Sequence, residues 1–288
     1  MQAEQKNKDR SGKEWTTLTP EEHKNVGVWE HTKRHFKRLH LKLKASVLYD
    51  IHQLPEIKTN ESDKTTTDVT AILSSALEKL SLTRGLVEVV DQDTFEQARK
   101  YVVDLKLKTL VLSFASEKHG GGGVGNGRES QEEELFRRSN AHDTHPQEWY
   151  PLKENQVIYS PEVTVIKNAK NEMMDKPFTV GMISCAAIRH PQTKGLGASW
   201  SYKNEEDREM MRRKINAIFH VAALHEYEAV VLGSLGCGCF KNPPREVAQL
   251  FADALRQWKH SFVYNGFAVL VIKNDRTNLE TFERTLSS

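Results

Sequence analysis

The chain has 288 residues, 38% of them hydrophobic and 28% charged, and its 41 Lys or Arg against 39 Asp or Glu leave a formal net charge of +2. That balance excludes a general nucleic-acid binder, which needs a pronounced cationic excess. The chain shows neither an apolar run of 18 residues nor a charged-then-apolar start, so no membrane partner is expected and an intracellular setting, cytoplasmic or nuclear, is.

Residues 1–18 are charged and poor in apolar groups and are expected to form a disordered tail. Thr19-Pro-Glu-Glu22 has the form of a capping box with proline at the first helical position, and Val26, Trp29, Phe36, Leu39 and Leu43 recur at near-helical spacing. The spacing predicts a helix from Pro20 to Tyr49. Between His31 and Lys44 it carries six Lys or Arg and no acid, which reads first as a solvated face and second as a polyanion-binding one. A polar linker at 58–68 closes an N-terminal helical extension, residues 19–68, ahead of a core at 69–288.

In the core, strands are expected at 85–90, 107–115, 156–166, 178–184, 229–233 and 267–272, and helices at 94–105, 207–227 and 243–258. The alternation implies an α/β sandwich with a largely buried mixed sheet, in which ligands gather at the carboxyl ends of strands. The stretch Arg189–Asn204 is a long loop without an evident place.

Two glycine-rich segments follow expected strands. The first, from Phe114 to Glu133, runs four glycines toward Gln131, Glu132, Glu133 and Glu134. Consecutive glycines let backbone N–H groups approach a ligand closely. Carboxylates delivered back to that ligand suit glycosidic cleavage. A mobile surface loop, with glutamates that complement a helix dipole, explains the same residues. The second segment, Ser234-Leu-Gly-Cys-Gly-Cys-Phe240, leads to Asn242, an expected N-cap, and Pro243 in the first helical turn, where a pyrophosphate would be attracted. Cys185, Cys237 and Cys239 cannot all pair, and Cys237-Gly-Cys239 lacks neighbouring ligands at zinc-like spacing, as do His119, His142 and His145. No metal and no cofactor is expected.

These residues resemble a known family. Gly121-Gly-Gly123, seven residues, then Gln131-Glu-Glu133 is similar to the signature of the poly(ADP-ribose) glycohydrolases of microbial type. Val157-Ile-Tyr-Ser-Pro-Glu-Val163, Met211–Ile218 and Val231–Phe240 with Asn242-Pro243 resemble further segments of that family in the same order. The resemblance implies a macrodomain-like three-layer α/β/α sandwich with a mixed central sheet and an N-terminal helical extension. It implies hydrolysis of the ribose–ribose O-glycosidic bond, with Glu133 as acid/base and Glu132 positioning ribose hydroxyls. Gly121, Gly122, Gly123, Val124 and Gln131 would line the ribose and diphosphate. Ser234, Gly236, Cys237, Gly238 and Cys239 would cradle phosphates, and Phe240 would pack over the ribose. Adjacent carboxylates and a diphosphate would raise the acid's pKa, while Glu134 is expected to be solvated.

The implied partners are poly(ADP-ribose) or ADP-ribosylated macromolecules, with ADP-ribose as product, in a DNA damage response. The chain departs from the family pattern at Gly120, where proline is frequent, at Val124, where a bulkier residue is common, and at Ser113, where asparagine is frequent. Alternatives are a hydrolase of single ADP-ribose units, an ADP-ribose-binding domain without catalysis and a generic nucleotide-binding domain.

Overall fold

The computed structural model describes residues 18–39, 42–57, 86–258, 261–262, 264–268 and 276–286. The expected tail up to residue 17, the linker at 58–68 and positions 269–272 of the last expected strand lie outside the described residues.

Helix α1 (Pro20–Leu39) precedes strand β1 (Val47–Asp50) and strand β2 (Leu86–Val90). Helix α2 (Thr94–Arg99) continues as a π-helical turn to Asp104, and β3 (Thr109–Phe114) leads through the glycine loop to α3 (Gln131–Arg138). Then come β4 (Gln156–Lys167), β5 (Met173–Cys185), the two-residue strands β6 (Thr193–Lys194) and β7 (Ser201–Tyr202), α4 (Glu205–Leu224), β8 (Ala229–Leu232), α5 (Pro244–Trp258), β9 (Tyr264–Ala268) and α6 (Thr277–Leu286).

Seven strands form one sheet in the order β1-β4-β5-β3-β8-β9-β2. From β5 to β2 all neighbours are parallel, while β4 runs antiparallel to β5 and β1 antiparallel to β4. The sheet is therefore mixed, as expected. Its parallel part must be covered on both faces, and period-2 alternation does this. Leu110 and Leu112 of β3 with Val230 and Leu232 of β8 pack against α4, α5 and α6. Val111 and Val231 point the other way, toward Trp29 of α1, Phe95 of α2 and Phe136 of α3. Helices on both faces make three layers.

β4 changes phase part-way. Val157 and Tyr159 face the first core and Val163 and Val165 the second. The register accounts for it: Ser160 opposes Met182 and Val163 opposes Val180, so one extra residue is accommodated around Pro161. Proline lacks the N–H that a regular ladder would require and fits such a bulge.

The N-terminal region departs from expectation. The helix expected to reach Tyr49 ends at Leu39, which is 48% exposed, and Val47–Asp50 instead pairs along β4, with Val47 opposite Tyr159 and Tyr49 opposite Val157. The backbone N–H and C=O groups of this segment find partners along the edge of β4 and extend the sheet. Helix α1 packs on the second core and β1 belongs to the sheet, so both elements join the body of the protein ahead of the boundary expected at residue 68. Helix α6 has no counterpart among the expected elements.

Candidate active site

Strands β5, β3 and β8 are adjacent and parallel, and the loops leaving their carboxyl ends carry the candidate residues. From β3 comes the segment to Ser130, from β5 the stretch that includes Arg189, and from β8 the Ser234–Phe240 turn.

The first loop is organised by the two carboxylates at the start of α3. Glu132 accepts hydrogen bonds from Ser116 N at 2.8 Å and Gly121 N at 3.0 Å. Glu133 accepts from Gly123 N at 2.8 Å and from the Ser130 hydroxyl. Both side chains are buried, Glu132 at 2% exposure and Glu133 at 7%. Gly122 lies between them at φ +52°, and a Cβ there would come within 2.6 Å of Glu133 Oε1 and 2.9 Å of Glu132 Oε2. Only glycine fits this position.

Burial, and next the charge of Glu133, holds the Glu132 carboxyl well above the ordinary carboxylate range. Desolvation penalises the ionised form and a like charge adds to it. Tyr150 stands close by: its ring lies 3.2 Å from a Cβ built on Gly120, and its buried hydroxyl has no hydrogen-bond partner among the described residues. Burial, and then Glu132, keeps that phenol protonated.

The other expected residues divide into those at the loop surface and those behind it. Gln131 turns its amide to the end of β3, accepting from Phe114 N at 2.8 Å and donating to Leu112 O at 2.7 Å, and so pins the start of α3. Val124 is 5% exposed and packs in the second core. Glu134 is ion-paired with Arg137 rather than solvated, which corrects the expectation. Ser113 is fully buried and its hydroxyl has no partner among the described residues.

In the second loop, Ser234 accepts Cys237 N at 3.0 Å through its carbonyl, Gly238 and Cys239 are exposed, and Cys237 is buried with its thiol pushed up by desolvation. Asn242 is not the helix cap that was expected. Its Nδ2 donates to Ile188 O at 2.7 Å and Gly236 O at 3.2 Å, and its Oδ1 accepts from Tyr202 OH at 2.8 Å, so it ties the loops from β5 and β8 together. His145 is buried, not a surface residue, and bonds Ser184 Oγ at 2.8 Å. Among the described residues no three His, Cys, Asp or Glu side chains converge as a metal site would require, and no helix is long and apolar enough to cross a membrane.

Sequence reasoning missed several site residues. Ser130-x-x-Glu133 has capping-box spacing and could have flagged Ser130. Ser116 contributes a backbone amide, which side-chain identity does not advertise. Arg189 pairs with Glu117 across 72 positions, with Nε–Oε1 at 2.7 Å and Nη2–Oε2 at 2.9 Å, and stacks 4.1 Å above the Phe240 ring; no local signal marks it.

Residues 27–168 match the family model for the catalytic domain of microbial-type poly(ADP-ribose) glycohydrolase. Among solved structures, the chain is similar to the poly(ADP-ribose) glycohydrolase of Thermomonospora curvata bound to the inhibitor ADP-HPD, at 23% identity and TM-score 0.67 over 91% of this chain and 99% of that one. It is also similar to the Deinococcus radiodurans poly(ADP-ribose) glycohydrolase in complex with ADP-ribose, at 26% identity and TM-score 0.64 over 84% and 94%. No curated protein matches the sequence.

Proposed function

We propose, from the match of residues 27–168 to the family model for the microbial-type poly(ADP-ribose) glycohydrolase catalytic domain, that the protein hydrolyses the ribose–ribose O-glycosidic bond of poly(ADP-ribose) and releases ADP-ribose. The observation that carries the reading is the pair Glu132 and Glu133, each bound by an amide of the glycine loop. A ligand lying on that loop meets both carboxyl groups and the backbone together.

In the proposed mechanism Glu133 gives a proton to the departing ribose oxygen as the C–O bond breaks, leaving an oxocarbenium-like centre. The carboxylate then takes a proton from the water that attacks that centre, and the acid is restored. Glu132, whose carboxyl is raised by burial and by the neighbouring Glu133, hydrogen-bonds the ribose hydroxyls. The loop from β8, with Ser234, Gly236, Cys237, Gly238 and Cys239, would bind the diphosphate through its amides, and Phe240 would cover the ribose. On the family likeness alone the reading extends to a macrodomain-superfamily fold, an intracellular setting and a part in the DNA damage response.

The experiment is release of ADP-ribose from purified poly(ADP-ribose) and, in parallel, from a mono-ADP-ribosylated protein, by the wild type and Glu133→Gln. Polymer shortening that vanishes in the variant is expected. Release from the mono-modified protein alone would transfer the chemistry to that acceptor. Binding of ADP-ribose without any release would make the protein a reader.

A further inference from the structure

Arg189 joins three loops that the sequence keeps apart. It lies on the loop from β5. Its Nε and Nη2 donate to the two oxygens of Glu117, on the loop from β3, and its guanidinium lies over Phe240, on the loop from β8. The surroundings are themselves fixed: Leu152 N donates to Glu117 O at 2.8 Å, and His190 N donates to Phe240 O at 2.8 Å. Edge and face of the cation are both held, yet its side chain remains 38% exposed.

An arginine has five N–H donors. Two serve Glu117, and the other three, both on Nη1 and one on Nη2, have no partner among the described residues. An exposed ion pair by itself contributes little to a fold. A guanidinium fixed by edge and face, with donors to spare at the meeting point of two glycine loops, is instead ready for a bidentate anion.

We propose that Arg189 is a ligand-binding, specificity-determining residue of this cleft, which Glu117 and Phe240 hold in place so that its free N–H groups grip a substrate phosphate. The identity of that phosphate, the diphosphate of an ADP-ribose unit, rests on the function proposed above. Glu117 has the part of positioning residue. It acts through Arg189 and touches no substrate.

Binding separates this from a purely structural role. ADP-ribose and inorganic pyrophosphate are titrated calorimetrically, at low and high salt, into the wild type and into Arg189→Ala, Arg189→Lys and Glu117→Gln, and adenosine is titrated by NMR. Arg189→Ala is expected to weaken ADP-ribose about tenfold or more and to remove much of its salt dependence, with adenosine unaffected. Arg189→Lys keeps the charge and the fold but restores only part of the affinity, because an ammonium cannot bridge Glu117 and stack on Phe240 at once. Glu117→Gln is expected to weaken binding about threefold through loss of aim. Wild-type ADP-ribose affinity in both Arg189 variants would overturn the proposal. Equal losses for ADP-ribose and adenosine would do so as well, because they would show that Arg189 merely props Phe240. A wild type that binds ADP-ribose but releases none from polymer would sink the hydrolase and leave the phosphate contact standing; one that binds neither ADP-ribose nor pyrophosphate would overturn both.

Discussion

Glu132 and Glu133 are neighbours in sequence, but each is held by its own donors, Ser116 and Gly121 for the first and Gly123 and Ser130 for the second. Replacing Glu133 with Gln keeps the shape and removes the proton transfer. Turnover of polymer should fall by about 10²- to 10⁴-fold, with ADP-ribose binding retained in calorimetry. Glu132 gives a pH signature. Its folded-state pKa lies above the unfolded one, so its proton stabilises the fold at low pH and that contribution is lost as pH rises above about 4.5, through its raised folded value. His145 has the opposite sign. Burial pushes it down to about 4 from an ordinary 6.5, so its contribution is complete above 6.5 and is lost as pH falls toward 4. Melting temperatures across pH 4–8 should show both limbs, with His145→Gln flattening the acid limb and Glu132→Gln the alkaline one. An unchanged profile in either variant would remove that group from the account. At this scale the sequence was informative where chemistry is local. The Gly-Gly-Gly and Gln-Glu-Glu runs fold onto each other within 13 positions, from Gly121 to Glu133. It was silent on how deeply the two carboxyls are buried, because burial is set by packing rather than by neighbours in sequence.

Helix α3 presents those carboxylates, and it has only two turns, too short to be stable by itself. Its orientation comes from arginines one turn further on. Arg138, 1% exposed, donates to both oxygens of Asp93 at 2.9 and 2.6 Å. Asp93 is also the N-cap of α2, accepting from Phe95 N and Glu96 N. Arg137 donates to Arg128 O at 2.7 Å and closes the far end of the glycine loop. Arg138→Leu leaves Asp93 without its cation and loosens the start of α2 and the end of α3 together. A loss of roughly 3–5 kcal/mol in denaturant unfolding is expected, along with a fall in turnover although the side chain touches no substrate. A loss below about 1 kcal/mol, the range of surface pairs, would show that Asp93 is satisfied without it. Elements whose pattern is complete in themselves were legible: β3 and β8 as apolar runs, α4 and α5 as periodic ones. The end of α1 was not, because Leu43 continues a helical spacing, whereas the edge of β4 that claims Val47–Asp50 lies more than a hundred residues away. Asn242 misled for the same reason. Its position suits a cap, but Ile188 and Tyr202 compete for its amide.

At the scale of the whole molecule, the sheet order places β3 between β5 and β8 and so brings three loops to one edge. Strand order is a consequence of long-range pairing that no local pattern encodes, which is why the loop at 189–204 could not be placed beforehand. The other face of the arrangement is α1, which passes behind the glycine loop. Asn25 Nδ2 donates to Gly127 O at 3.1 Å and to Glu129 Oε1 at 3.0 Å, and Lys167 Nζ donates to Val28 O at 2.9 Å. Gly127 adopts φ +71°, and a Cβ there would sit 2.3 Å from Glu22 O. Contact between helix and loop therefore depends on that glycine. The helix buries Val26, Trp29 and Phe36, each contributing about 1.5–3 kcal/mol. Their sum is comparable with the entire stability of a typical domain, roughly 5–15 kcal/mol, so deletion through residue 41 is expected to abolish cooperative unfolding rather than trim an appendage. Gly127→Ala is the graded version: strain at positive φ together with the blocked approach should cost about 1–3 kcal/mol and raise the KM for polymer as Gly121–Gly123 lose their backing. A truncated protein that melts cooperatively near the wild-type temperature, or a Gly127→Ala variant with unaltered KM, would show that the glycine loop holds its shape without the helix, and α1 would then be the separate extension that composition first suggested.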